Sequence, residues 1–157
     1  MTRESVEHLL SEHRFFSGMK PDFIAFLARH AKERHIEQDE ILFRHDDPAH
    51  HFYLIRKGRI SLEIPAITGP TLDVQHLGEG QILGWSWLIP PYAWNFNARA
   101  EAPSEVIEFN GQAVLDRCDK DVDFGYALLK RFSSLMSERL DAARRKMMDQ
   151  WNPPGFA

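Results

Sequence analysis

Short apolar runs separated by turn-forming residues fill the middle of this 157-residue chain, from about residue 36 to residue 109. Ile60, Leu62 and Ile64 alternate with other residues, which is the two-residue period of a strand that buries one face. Gly58 separates this run from the preceding one and predicts a tight hairpin turn with a positive φ angle. Many short strands with closely spaced turn signals favour an antiparallel sandwich or barrel.

Further strand and turn signals complete this region. Short strands are predicted around residues 74–76 and 82–83, and a final pair of strands at residues 99–102 and 106–109. A turn is predicted at residues 68–70, where threonine, glycine and proline follow one another. The regular spacing of these signals is typical of an all-β core.

Helical patterns flank the strand region on both sides. Residues 4–32 carry apolar side chains at spacings of three and four, and Pro21 is well placed for a first helical turn. Two helices are predicted over about residues 111–150, of which the second is long and amphipathic. The prolines within residues 152–155 end it, because proline cannot continue a helix. The expected order is therefore helices, strands and helices.

Composition narrows the class of protein. With 27% charged and 43% hydrophobic residues, the chain is neither disordered nor collagen-like, and we expect one domain over residues 1–157. The single cysteine excludes an internal disulfide and a cysteine-based metal cluster. No secretory signal or membrane-spanning window is present, so we expect a cytoplasmic protein without membrane contact. A net charge of −4 provides no overall attraction for nucleic acid.

The order of the elements resembles the cyclic-nucleotide-binding domain of bacterial catabolite-activator and fumarate-nitrate-regulator proteins. The similarity extends over about residues 15–150 and implies a mainly β, α+β fold. That fold is an antiparallel β-roll or jelly roll (a double-stranded β-helix) at about residues 36–109, flanked by N-terminal helices and a long C-terminal helix. The segments that carry the resemblance are the helix entry Phe15–Met19, the hairpin Asp46–Ile60 and the run Leu77–Gly84 before the phosphate-binding cassette.

The cassette is where this sequence departs from the family it resembles. Members usually have Gly-Glu, a short helix, and then an arginine; the glutamate holds the ribose and the arginine pairs with the cyclic phosphate. Here Gly84 matches the glycine, while Trp85 and Trp94 stand in the places of the glutamate and the arginine. A buried phosphate needs a charge-assisted partner, so we expect weak or absent binding of cyclic AMP and cyclic GMP. Backbone N–H groups at the expected helix start still offer a weak anion site.

The replacement residues leave three interpretations open. Aromatic rings can line a remodelled pocket for a flat or apolar ligand, form a protein-binding surface, or fill the cavity that a nucleotide would occupy. We predict no fixed cofactor and leave open a small-molecule or nucleotide-like ligand. The candidate ligand-binding residues are Gly84, Trp85, Ser86, Trp87, Leu88, Trp94, Asn95, Phe96, Asn97 and Arg99.

The long C-terminal helix is the expected interaction element. In the family that the chain resembles, this helix pairs with its twofold mate, which implies a homodimer. Packing of the helix on its own β-roll alone is the alternative. The candidate dimer residues are Phe132, Leu135, Met136, Leu140, Ala143 and Met147.

Other reactive side chains are weak candidates for function. A histidine and aspartate cluster at residues 45–51 lacks a recognisable metal-ligand spacing and indicates a polar loop, so no metal site is predicted. Cys118 lies beside Arg117 and two aspartates and is interpreted as an ordinary, partly buried thiol. No nucleophile elbow, Walker loop, zinc-protease motif or dinucleotide fingerprint is present, so we do not expect an enzyme.

Together these features predict a regulatory or sensor module. The family's DNA-reading helix-turn-helix domain would begin about where this chain ends, so we expect a free-standing module that does not bind DNA directly. One alternative is a ligand-free interaction module that docks onto a protein partner. Another is a component of a transcription regulator that acts with a separate DNA-binding partner.

Overall fold

The computed structural model describes residues 1–64 and 72–150. These residues form two four-stranded antiparallel sheets with two helices before the first strand and two after the last. The helices are α1 (Arg3–Glu12), α2 (Pro21–Arg29), α3 (Gly111–Lys120) and α4 (Val122–Gln150). The strands are β1 (Ala31–Ile36), β2 (Ile41–Phe43), β3 (His51–Lys57), β4 (Ile60–Ile64), β5 (Leu72–Leu77), β6 (Ile82–Leu83), β7 (Asn97–Ala100) and β8 (Ser104–Asn110).

The two sheets have strand orders β1-β8-β3-β6 and β2-β7-β4-β5, and every paired strand is antiparallel. Neighbours in a sheet are mostly distant in sequence, so the chain passes repeatedly from one sheet to the other. This arrangement is the β-roll that the resemblance implies, and the helices lie before and after it. The strand region begins at Ala31 and ends at Asn110, slightly wider than expected.

Two local expectations are corrected by the sheet order. Gly58 has the predicted positive φ, at 95°, but it links β3 of one sheet to β4 of the other and so does not close a hairpin. A β-carbon there would overlap the Ser104 side chain, so the crossing needs a glycine. Likewise β7 and β8 do not pair with each other, since β7 pairs with β2 and β4 while β8 pairs with β1 and β3. Sequence periodicity marks strands but not their partners.

Helix ends follow from local side chains. Thr2 caps α1 by accepting a hydrogen bond from the Ser5 N–H, and Asn110 caps α3 through the Ala113 N–H. Pro21 occupies the first turn of α2, as predicted. The turn expected at residues 68–70 and the helix end expected at residues 152–155 lie outside the described residues.

The first half of α4 closes the core. Phe124, Leu128 and Phe132 are buried on the side of the helix that faces the β-roll. Phe132 meets Phe52 edge to face with ring centroids 5.3 Å apart, and Phe52 in turn stacks on Phe109 at 4.5 Å. Such aromatic pairs add to the stabilisation from apolar burial. The position of α4 is therefore fixed by the same rings that fill the roll.

Candidate functional site

The cassette between β6 and β7 forms turns in place of the short helix expected there. Residues 86–88 are in turn conformation, and Leu88 N–H donates to the Trp85 carbonyl at 3.0 Å. Because no regular helix starts at Trp85 or Ser86, the expectation of helix-start N–H groups for an anion is wrong. The segment is instead held by hydrogen bonds to the loop before β3, where Trp94 N–H donates to the Asp47 carbonyl at 2.9 Å.

Trp94 lies inside the fold, not at its surface. Its side chain is 5% exposed and stacks on Phe43, with ring centroids 3.7 Å apart and an interplanar angle of 10°. The ring also lies directly on Gly84, where a β-carbon would come within 2.7 Å of Trp94 Cη2. Gly84 has φ of 100°, which disfavours any side chain at this position. Gly84 therefore makes room for the indole.

Trp87 is also part of the core. It is 2% exposed, stacks on Phe52 at 4.9 Å and meets Phe132 of α4 at 5.3 Å. Its Nε1–H donates to the Gly84 carbonyl at 3.2 Å, so the polar end of the ring is satisfied. The ring thus joins the cassette to α4 through direct aromatic contact.

Trp85 differs from the other two rings because it is only half-buried and faces a charge. The guanidinium carbon of Arg139, on α4, lies 5.8 Å from the Trp85 ring centroid. Arg139 is itself 8% exposed and donates a hydrogen bond from Nη2 to the Ile82 carbonyl. Burial lowers the pKa of Arg139 to about 10. The cationic group nearest to this end of the cassette therefore comes from α4, which sequence analysis did not identify.

Arg99 does not face the cassette interior. On β7 it lies between the buried Ala98 and Ala100 and points to the opposite face of the sheet. Its Nε donates to Glu63 Oε1 at 2.8 Å and its Nη1 to Asp39 Oδ1 at 3.0 Å. The hydrogen bond that Arg99 donates to Glu63 is the main reason that the pKa of Arg99 is raised. The Arg99 guanidinium is therefore already paired with two carboxylates.

The remaining predicted cassette residues are less buried. Ser86, Leu88, Phe96 and Asn97 are half-buried and Asn95 is exposed. Asn97 Oδ1 accepts from the His45 N–H at 2.7 Å, which ties β7 to the loop before β3.

The candidate dimer residues separate into two groups on α4. Phe132 is fully buried and Leu135 and Met136 pack partly against the core, so Phe132 belongs to the intramolecular packing that was the alternative. Leu140 and Met147 are 72% and 64% exposed and Ala143 is also exposed.

The exposed residues continue toward the start of the helix. Val122, Tyr126 and Leu129 are 76%, 66% and 48% exposed and were not predicted from the sequence. With them the spacing alternates between four and three residues along the whole helix, which is the period of a coiled-coil seam. We call this set the α4 stripe; its members are Val122, Tyr126, Leu129, Ser133, Met136, Leu140, Ala143 and Met147.

A cleft of about 500 Å³ lies on another part of α4. It is bordered by the turn after α1, by the loop between β5 and β6, and by α4, and none of residues 84–99 lines it. The second cleft, near Glu108, also contains none of them. The lining residues are His13, Arg14, Phe15, Glu79, Gly80, Gln81, Ile82, Arg131, Ser134, Leu135, Glu138 and Arg139.

The weaker candidates are placed in ordinary environments. His45 contacts Asp46 at 3.0 Å, whereas His51 lies 3.8 Å from Glu108, so the histidine cluster is divided between two surroundings. Within residues 1–64 and 72–150, no group of three or more potential ligands is arranged to hold a metal ion. Burial, with the charge of Asp119, raises the pKa of the Cys118 thiol to about 11, so the reactive thiolate is disfavoured.

Two antiparallel sheets rolled around an aromatic core, with a turn-rich segment between β6 and β7 and a long closing helix, define a β-roll domain. The model of the cyclic nucleotide-binding domain matches residues 33–121, more than half of the sequence, and the chain belongs to that family. No curated protein is similar enough in sequence to count as a relative.

Solved structures agree on the fold. A cyclic nucleotide-binding domain from Methylobacillus flagellatus KT superposes with a TM-score of 0.79 at 15% identity, covering 98% of this chain and 86% of that one. The sensor domain of the transcriptional regulator DNR from Pseudomonas aeruginosa gives 0.71 at 20% identity, with 88% and 93% covered. The catabolite activator protein of Thermus thermophilus gives 0.68 at 19% identity, with 85% and 61% covered. In the part of this chain that the structure describes, no helix is long and apolar enough to cross a membrane.

Proposed function

We propose that this chain is a non-enzymatic regulatory module of the cyclic-nucleotide-binding type that does not bind cyclic AMP or cyclic GMP tightly. The main support is the position of the Trp94 ring, which stacks on Phe43 and covers Gly84 where the family's arginine would approach the phosphate. An indole that is 5% exposed occupies volume that a ligand would need. The cassette is therefore filled by the chain's own side chains, which favours the third interpretation of the aromatic residues.

Charge supports the same conclusion. A buried cyclic phosphate needs a charge-assisted hydrogen bond, and losing one such buried partner costs about 2–5 kcal/mol, or thirtyfold to several-thousandfold in affinity. Arg99 is already paired with Glu63 and Asp39 on the other face of its sheet. Arg139 lies in a cleft that none of residues 84–99 lines, so it does not replace the missing arginine inside the cassette.

Calorimetric titration of the full chain with cyclic AMP and with cyclic GMP tests this proposal. We expect no saturation at micromolar nucleotide, and a dissociation constant in the low micromolar range for either would refute the proposal. A double variant, Trp85→Glu with Trp94→Arg, returns both polar groups to their family positions. If it remains folded by thermal unfolding, we expect it to bind more tightly than the natural chain.

We also propose that α4 pairs with α4 of a second copy along the α4 stripe. Its large apolar members other than Met136 are exposed in the single chain, and their heptad spacing suits helix pairing. Sedimentation equilibrium tests this: Leu140→Glu should weaken dimerisation at least about tenfold, since it places a charge in the seam. Ala142→Glu, exposed on α4 at a position that faces away from the stripe, is the matched control. A natural chain that is monomeric at high micromolar concentration would contradict the pairing.

A ligand-free interaction module that docks onto another protein is the second candidate, and the same exposed stripe favours it. Thermal-shift screening with cyclic nucleotides and small metabolites separates the two functions. A regulatory module that senses a small molecule must be stabilised by that ligand, wherever it binds, whereas a pure interaction module does not respond.

A further inference from the structure

The cleft beside α4 is lined by more arginines than carboxylates. Arg139 lies in it with 8% of its surface exposed, and among the residues that the structure describes its one hydrogen-bond acceptor is the Ile82 carbonyl. Arg131 donates from Nη1 to the Ala127 carbonyl at 3.0 Å and from Nη2 to the Ser17 carbonyl at 2.7 Å. Within the described residues, neither guanidinium has a carboxylate within 4.0 Å.

The other groups that line the cleft leave its excess of positive charge in place. Arg14 lies 3.9 Å from Glu138, and both side chains are largely exposed. His13 accepts from the Phe15 N–H through Nδ1 and contacts the Gly80 carbonyl through Nε2, so both of its ring nitrogens already have protein partners. Three arginines against Glu79 and Glu138 leave an excess of positive charge, although the whole chain is acidic.

A buried arginine is normally paired, because taking a charge out of water is costly without a partner of opposite charge. Burial lowers the pKa of both Arg131 and Arg139, which is the sign of that cost. A guanidinium presents five N–H donors in a fork that suits phosphate and carboxylate groups. Most of these donors on Arg139 have no protein acceptor within the described residues.

We propose that this cleft binds a small organic oxyanion, with Arg131 and Arg139 holding its phosphate or carboxylate groups. The two arginines are eight residues apart on α4, about 12 Å along the helix axis, and Leu135 lies between them. The Phe15 and Leu135 side chains provide apolar surface for the body of the ligand. A volume of about 500 Å³ is within the range of small-molecule sites.

Such a ligand would connect three distant parts of the chain. The cleft is formed by the turn after α1, the loop between β5 and β6, and α4, so an anion held there would favour one position of α4 relative to the β-roll. The α4 stripe uses other positions of the helix, so the ligand and a second copy can be bound together. The inference does not depend on the cassette being closed.

The experiment titrates the full chain with sodium pyrophosphate and with sodium citrate, at ionic strength matched with sodium chloride. We expect saturable binding of one of them with a dissociation constant below about 1 mM. The Trp85 indole N–H is a local reporter in nitrogen-edited NMR spectra, because its ring lies 5.8 Å from the Arg139 guanidinium carbon. Saturation by pyrophosphate indicates a phosphate-bearing ligand, and saturation by citrate alone a carboxylate-bearing one.

Variants locate the binding. Arg131→Gln and Arg139→Gln should each weaken it about tenfold or more, because each removes a charged donor. Arg144→Gln makes the same charge change on an exposed residue of α4 outside the cleft and should change affinity less than about twofold. Arg131→Gln carries the test alone if the buried Arg139→Gln variant does not fold. Equal weakening by all variants, or no saturable binding of either anion, would overturn the proposal.

Discussion

The cassette interior and the cleft beside α4 differ in the side chains that line them: the first is aromatic and the second is charged. In the cassette, Trp87 and Trp94 are buried among other rings, and the indole N–H of Trp87 has a protein acceptor. In the cleft, Arg131 and Arg139 retain N–H donors without acceptors, and within the described residues neither guanidinium has a carboxylate at salt-bridge distance. A ligand needs open volume and polar groups that have no protein partner. In this chain both are found outside the segment where the family resemblance directs attention.

The largest effect is expected from removing a cassette ring. Trp87→Ala should lower the free energy of unfolding by about 3–5 kcal/mol, because the ring packs between Phe52 and Phe132 and leaves a cavity. Urea unfolding measures this. Ile89→Ala, which truncates an exposed neighbour, should cost less than about 0.5 kcal/mol. Similar losses for both variants would mean that the cassette is not part of the core.

A smaller loss is expected at the glycine beneath Trp94. Gly84→Ala should cost about 2–4 kcal/mol, since a methyl group at φ of 100° is strained and meets the Trp94 ring. Trp94→Leu removes the contact but not the strain. The double variant should therefore lose less than the sum of the two single variants, by about 1 kcal/mol or more, in the same unfolding assay. Strict additivity would show that the ring does not rest on Gly84.

The third prediction concerns a buried charge that, unlike Arg139, is fully paired. Burial alone would raise the pKa of Glu108, but the hydrogen bond from Arg34 at 2.9 Å and the charges of His51 and Lys32 outweigh it, so its pKa is lowered. A carboxyl with a lowered pKa stabilises the fold above its ordinary pKa, and this contribution is lost as the pH falls through the folded value.

Unfolding free energies measured between about pH 6 and pH 3 test this, with the loss on the order of 1 kcal/mol. Glu108→Gln should flatten the dependence. Glu37→Gln, at an exposed glutamate, should leave it unchanged. If the free energy of unfolding of the Glu108→Gln variant depends on pH as steeply as that of the natural chain, Glu108 does not contribute to the pH dependence.

The smallest change in stability is expected at Trp85, where the cassette adjoins Arg139 of the cleft. Trp85→Glu places a carboxylate within reach of Arg139, so the new ion pair offsets part of the lost packing and the net change should be within about 1 kcal/mol. The same substitution should weaken pyrophosphate or citrate binding in the cleft, because Arg139 then has a protein partner. Trp85→Gln introduces a side chain of the same size as glutamate but without charge. This variant should bind the anion more tightly than Trp85→Glu does. If Trp85→Glu binds the anion more tightly than Trp85→Gln, Arg139 does not take part in anion binding in the cleft.

Periodicity and turn residues predicted the order of the elements well. The strands around Ile60 and Ile82, the positive φ of Gly58 and the long amphipathic helix are all present. The sheet partners were not predictable, because a strand's own alternation does not say which distant strand it faces. The same limit explains why Phe132 was grouped with Leu140 although one is buried and the other is 72% exposed.

The cleft was missed for a related reason. On a helix, Arg131 and Arg139 have the pattern of a solvated face. Arg139 is buried because β6, which begins at Ile82, 57 residues earlier in the chain, lies against it. The family resemblance located the cassette through Gly84, yet the absence of a short helix there follows from ring packing that no local signal encodes.

The pairing of the first strand with the last has a consequence for the newly made protein. In the register of β1 and β8, Ala31 lies opposite Phe109, so the sheet cannot be completed until the ribosome has released all residues as far as β8. Until then β1 and β3 both lack the strand that joins them. Contacts so distant in sequence slow folding and leave strand edges open to other chains. A nascent chain stalled before β8 should therefore be the form that is most sensitive to aggregation and most dependent on chaperones.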